Sequence, residues 1–147
     1  MGRYDDVLEF LGKYESTFDS TNQHTTMPSD MVRQIREAHP SLPNDYLDFL
    51  AEVGWGSFRE GQYKVFEGLK DSNDLFDTET VESFGQRVLW FGENASGDIS
   101  GYLPDDDWRT VEVWRDSKDL YETRKTFGVF LREQLLMDDD GNDMRRF

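Results

Sequence analysis

Cysteine is absent from this chain. Disulfides, thiolate catalysis and cysteine-based metal centres are therefore excluded. Histidine is nearly absent: only His24 and His39 occur, one in a polar link and one at a predicted helix end. That is no zinc spacing, and both read as ordinary surface histidines. No apolar run approaches the roughly 20 residues of a membrane span. The start, "MGRYDDVLEFLGKYES", lacks an apolar signal core, and Asp6 stands where a myristoylation signal needs Ser or Thr. A soluble cytoplasmic protein is the expectation. There is also no internal repeat and no low-complexity tract.

Basic residues are in short supply. Sixteen Lys and Arg face 31 Asp and Glu, a formal net charge of −15. A field of that sign repels nucleic acid and anionic membrane surfaces and attracts basic partners. It also serves solubility alone. What the chain has in quantity is aromatics, with four Trp, six Tyr and eleven Phe among 147 residues. These supply the buried area for one folded domain.

Periodicity divides the chain. "YDDVLEFLGKYESTF" places Tyr4, Val7, Leu8, Leu11, Tyr14 and Phe18 on one helical face. The link "DSTNQHTTMP" reads as irregular and exposed. A second helix is predicted from an N-cap at Ser29, through Met31, Val32, Ile35 and Ala38, to Pro40. A third opens at "LPNDYLDFLAEVG", with Pro43 in its first turn, Tyr46, Phe49, Leu50 and Val53 as its stripe, and Gly54 just past its end. The period then changes to two. "GQYKVFEG" (bounded by Gly61 and Gly68), "QRVLWFGE", "DISGYLP" and "RTVEVWRD" read as four strands of an antiparallel meander. Between the first two lies a short helix plus loop; from Asp71 to Gln86 it holds five acids and no Lys or Arg. "TFGVFLREQLL" is the last helix, capped by Thr126, with Phe127, Phe130, Leu131 and Leu135 inward. Residues 136–147 read as a frayed polar tail. The whole is a single α+β domain: a curved antiparallel sheet packed with N-terminal helices and a C-terminal helix.

The search for chemistry finds none. An EF-hand started at Asp71 fails at Leu75 and at Phe76, where glycine is obligatory. "DDDGND" places its glycine after only three acids. "GWGSFREG" follows a helix and precedes a strand, the reverse of a dinucleotide loop. No Gly-x-Ser-x-Gly elbow occurs, and among 31 acids a carboxylate pair carries no information. "GENASGDISGY" reads as a hairpin connection, with Gly97 for positive φ and Asp98 presented beside it. No metal or cofactor is expected.

"LPNDYLDFLAEVGWGSF", "LWFGENASGDISGYLPDD" and "TFGVFLREQL" follow one another with a spacing that resembles the SUKH superfamily. The similarity runs from about Ile35 to Leu135. It departs at "VGWGS", where many members read Asn-Gly-Gly. The resemblance implies an α+β fold with a curved sheet and no enzymatic role. It implies an immunity protein of a bacterial polymorphic toxin system, such as contact-dependent inhibition, that neutralises a cognate basic toxin domain, often a nuclease. Fungal relatives regulate cell-wall synthesis through protein contacts, so a scaffold or regulator of an endogenous protein is the alternative. Leu42, Pro43, Tyr46, Phe49 and Leu50 are expected in the core and at the helix start, and Gly54, Gly56 and Gly97 as backbone devices. Trp90 and Trp114 are expected to face the core, and Trp55 and Trp108 to be exposed anchors. Partner contact is assigned to Trp55, Asp98, Tyr102, Asp105, Asp106, Asp107 and Trp108, with local turn bonds as the other reading of Asp98.

Overall fold

The structure is a computed structural model and describes residues 2–16 and 22–144. Among these, five helices accompany a seven-stranded antiparallel sheet. The chain runs α1 (Asp5–Tyr14), β1 (His24–Thr25), α2 (Ser29–Ala38), α3 (Asn44–Glu52), β2 (Trp55–Phe58) and β3 (Tyr63–Asp71). It continues through a 3-10 turn (Ser72–Asp74), α4 (Thr78–Phe84), β4 (Leu89–Asn94), β5 (Ile99–Leu103), β6 (Arg109–Val113), β7 (Leu120–Glu122) and α5 (Phe127–Gln134). Strand order in space equals strand order in sequence, so the sheet is a pure meander. None of the described helices is long and apolar enough to cross a membrane.

Both faces of the sheet are covered, which follows from the alternation along its strands. On one face α1, α3 and α5 bury Phe58, Tyr63, Val65, Phe91 and Tyr102. The helix α3 centres this layer. Phe49 meets Tyr4, Phe58 and Phe127, and Tyr46 meets Phe91, Tyr102 and Phe127, mostly edge to face. Leu42, Tyr46, Phe49 and Leu50 are all buried, as expected. On the other face Phe66, Trp90, Leu103, Val111 and Val113 pack under Phe84 and Val88, with Phe76 at the margin. Trp90 donates its indole N–H to Ser72 Oγ at 2.9 Å, so this buried donor is satisfied.

Several expectations change. Helix α1 stops at Tyr14, and Leu8 is 44% exposed, so it lies off the buried face; Phe18 falls outside the described residues. Pro28, not Ser29, holds the N-cap position of α2, and Pro43 likewise precedes α3 by one residue. Met31, Val32 and Ile35 are half-buried and Ala38 is exposed, so α2 rides on the margin of the core. The polar link is not wholly irregular. His24 and Thr25 pair with Gly56 and Trp55, and Met27 is buried. Two glycines make this possible. A Cβ at Gly54 would collide with the Thr25 carbonyl, and one at Gly56 with the Gln23 carbonyl. Gly68 does not end β3 but bulges it, with φ 87 inside a register shift between Val65 and Lys70. Thr126 caps α5 as predicted, accepting from the Val129 N–H.

The tail does not fray at 136. Met137 is buried and pairs with Asp143. What holds it is Arg59, at the tip of the β2–β3 turn. Arg59, Glu60 and Gly61 are all left-handed, with φ of 52, 56 and 82. For the two non-glycines this costs roughly 1–2 kcal/mol each. The turn is held by α1 and the segment after it. Glu15 accepts from the Arg59 N–H at 2.8 Å, and Asn22 from the Glu60 N–H at 2.7 Å. The Arg59 guanidinium is thereby turned inward over the Phe10 ring. It donates to the Leu135 carbonyl at 2.6 Å and pairs with Asp143 at 2.9 Å.

Two substitutions test this core. Phe49→Ala should cost about 3–5 kcal/mol in a urea titration, as for a fully buried phenylalanine. Arg59→Ala should cost a similar ~3–5 kcal/mol, because it removes a buried guanidinium from beside Asp143 and from the Leu135 carbonyl. A loss below about 1 kcal/mol for either would show that the contact does not carry the fold.

Candidate functional site

The β5–β6 connection is built from Pro104 to Trp108, closing between the paired residues Leu103 and Arg109. The Leu103 carbonyl accepts from both the Asp106 and the Trp108 N–H, at 3.1 and 3.0 Å. Closing the loop this way forces Asp107 and Trp108 into left-handed backbone, φ 58 and 55. That is unusual for a bulky side chain. Packing offsets it. The Trp108 ring lies edge-on to Tyr102 at 5.6 Å and to His39 at 5.8 Å. With the tryptophan turned inward, Asp105, Asp106 and Asp107 are left exposed. Among the described residues, Asp106 alone of the three has an ion pair, a solvent-exposed one to Arg109 at 3.6 Å.

Register carries a further acid to the same end of the sheet. Asp71 pairs with Leu89, Leu89 with Tyr102, and Tyr102 with Thr110. Asp71 therefore stands two strands, about 10 Å, from the base of this loop. Asp74 follows in the 3-10 turn, and both are exposed. His39 lies among these groups. Partial burial and the Arg87 charge lower its pKa, against an opposing pull from Asp71.

The other predicted contact residues are elsewhere. Asp98 is in the β4–β5 turn, at the opposite end of β5 and roughly 17 Å away along a five-residue strand. Its carboxylate accepts from the Arg115 N–H at 2.9 Å and from Asn94 Nδ2 at 3.3 Å, so it ties the turn to the end of β6. Gly97 has φ 88, the positive value this turn requires. Trp55 is half-buried against the main core, three strands from β5, so it is not the exposed anchor expected. Tyr102 is not on the open surface but is 1% exposed, because the alternation along β5 points it into the helical layer. Trp108 is no exposed anchor either, being half-buried against Tyr102 and His39. Trp114 reverses in the other direction. Strand β6 ends at Val113, and Trp114 lies 47% exposed, its ring tilted against Tyr121 at 4.3 Å.

A cavity of about 300 Å³ opens beside Trp108, walled by Tyr102 and Phe127, with Asp45 and Arg124 also in its lining. Sequence reasoning missed it because its walls come from four separate segments. Asp45 was visible only as the acid before Tyr46. The structure turns that acid toward the start of α5, where Oδ2 accepts from the Gly128 N–H at 3.2 Å. Charge at a helix N-terminus is favourable there. Asp45 Oδ1 and the hydroxyls of Tyr46 and Tyr102 are buried without a hydrogen-bond partner among the described residues. Burial raises the pKa of both phenols, so they stay neutral.

Among the described residues no group of three or more His, Asp or Glu is arranged to hold a metal ion. Comparison with protein-family models, with curated proteins and with solved structures finds no match to this chain.

The two displaced tryptophans make opposite predictions. Trp108→Ala should lower stability by about 2 kcal/mol or more, as a packed ring is lost. Trp114→Ala should change it by less than about 1 kcal/mol. Thermal or urea unfolding of the two variants side by side reads this directly, and equal losses would contradict the burial assigned to each.

Proposed function

We propose that this chain is a non-catalytic binding protein that acts in the cytoplasm by neutralising a basic protein toxin domain. A nuclease is the favoured class. Its substrate is a polyanion, so its active cleft is basic, and an acidic protein seated there competes with the phosphate backbone. The observation that carries this reading is the carboxylate rim at one end of the sheet. Asp105, Asp106 and Asp107 project from a loop whose backbone is held in place by Trp108, and Asp71 and Asp74 border the same end. The order and spacing of the three SUKH-like motifs supports the same role.

The rim and the net charge act at long range and should govern encounter. Replacing Asp105, Asp106 and Asp107 together by Asn should lower the association rate for the cognate basic toxin domain, and flatten its salt dependence, with a smaller effect on dissociation. Surface plasmon resonance at low and high salt measures both. A triple variant that binds like the parent would move the interface away from this loop. Failure of the parent chain to bind that domain, or to restore growth to cells producing it, would overturn the reading.

A further inference from the structure

The cavity beside Trp108 combines three features that point to one ligand chemistry. Three aromatic residues, Trp108, Tyr102 and Phe127, are in its lining, with charged side chains among the rest. Its lining also includes a carboxylate, Asp45, one oxygen of which is engaged by the Gly128 N–H while the other is buried without a donor. Tyr102, itself 1% exposed, likewise carries a hydroxyl with no partner among the described residues. A carboxylate oxygen accepts only, and a tyrosine oxygen can accept as well as donate. The carboxylate oxygen thus calls for a donor, and favours a positive one; the Tyr102 oxygen can accept from the same donor. Aromatic faces around a carboxylate are the surroundings that favour an organic cation.

The cations at the mouth do not reverse this. Arg109 is engaged by Glu122 at 3.0 Å and by Asp106 at 3.6 Å, and Lys125 is paired with Glu133. Arg124 is exposed and has no ion pair among the described residues, so it is the one opposing charge left. An anion entering here would gain Arg124 but face the Asp45 carboxylate.

We infer that this cavity is a cage for an alkylammonium or guanidinium group, and that it takes one Lys or Arg side chain of the basic partner. The partner as occupant rests on the function proposed above; the cage itself does not. The acidic rim Asp105–Asp107 lies in the loop that supplies Trp108, so a basic surface drawn to the rim is brought to the mouth of the cavity.

The cage can be tested on the chain alone with n-butylguanidinium and n-butylammonium, using n-butanol and butyrate as neutral and anionic controls. The indole N–H of Trp108 and the amide of Gly128 are the reporters in nitrogen–proton NMR. The cations should shift both signals saturably and bind about tenfold more tightly than either control. Asp45→Asn, which keeps an acceptor for Gly128, should remove most of that preference. Arg124→Gln should tighten cation binding. Equal binding of butanol, preference for butyrate, or an Asp45→Asn variant that binds like the parent would each overturn the proposal. Should Asp45→Asn fail to fold, the selectivity of the parent chain and of Tyr102→Phe decides: the preference should persist in the parent and weaken in the variant. A parent that binds its toxin domain but shows no cation preference refutes the cage and leaves the function standing. Cation selectivity without toxin binding does the reverse.

Discussion

Arg59 sits at the tip of the β2–β3 turn with its guanidinium inside the protein, over the Phe10 ring and against the Leu135 carbonyl, and Asp143 lies across from it. This contact joins the first helix, the end of the last helix, the β2–β3 hairpin and the tail beyond Met137. Each of those pieces is short, and none could bury its apolar face alone. The turn adopts three left-handed residues in a row so that the side chain can reach inward. A buried charge of this kind is a weak source of net stability, but removing one of its partners is costly. That constraint fixes α5 against the sheet, and the position of α5 fixes the Gly128 amide that holds Asp45.

The same logic extends outward through the other cations. Arg132 bridges α5 to α1 through both oxygens of Asp6 at 2.9 Å, and Arg3 reaches Asp48 on α3 at 2.9 Å. Arg132 also covers the Tyr4 ring. These pairs are exposed or half-exposed, so each adds little energy. They tie α1, α3 and α5 together, whereas among the described residues Asp105 and Asp107 of the β5–β6 loop have no ion pair.

Most elements were legible in the sequence because their periods are clean. The apolar stripe of α3, the Thr126 cap and the four central strands all stood within a few residues of their final bounds. The failures share a cause: they depend on contacts between segments. β1 exists because Gly54 and Gly56 have no side chain to keep the chain at 23–25 away, and the same glycines read locally as a helix stop. Tyr102 stood beside acids in sequence and was assigned to the surface, but strand alternation sends it inward while its neighbour Leu103 goes to the opposite face. Trp114 read as a strand residue, and the strand stops one position earlier. Asp98 and Asp107 lie nine positions apart in sequence and at opposite ends of β5 in space. No local pattern announces that a hairpin strand has two ends.

Long-range attraction and short-range fit are separated in this architecture, and the separation has a physical basis. Exposed carboxylates on a loop act over about a Debye length, roughly 8–10 Å at ordinary ionic strength, and are weakened by salt. They can orient an incoming basic surface but hold it poorly. A cavity lined in part by aromatic rings acts only at contact. The β5–β6 loop joins the two, since the residues that face solvent, Asp105 to Asp107, are contiguous with the tryptophan that walls the cavity. The left-handed backbone at Asp107 and Trp108 is what allows one loop to point its acids outward and its indole inward. A loop of ordinary backbone conformation at that position would have to surrender one or the other.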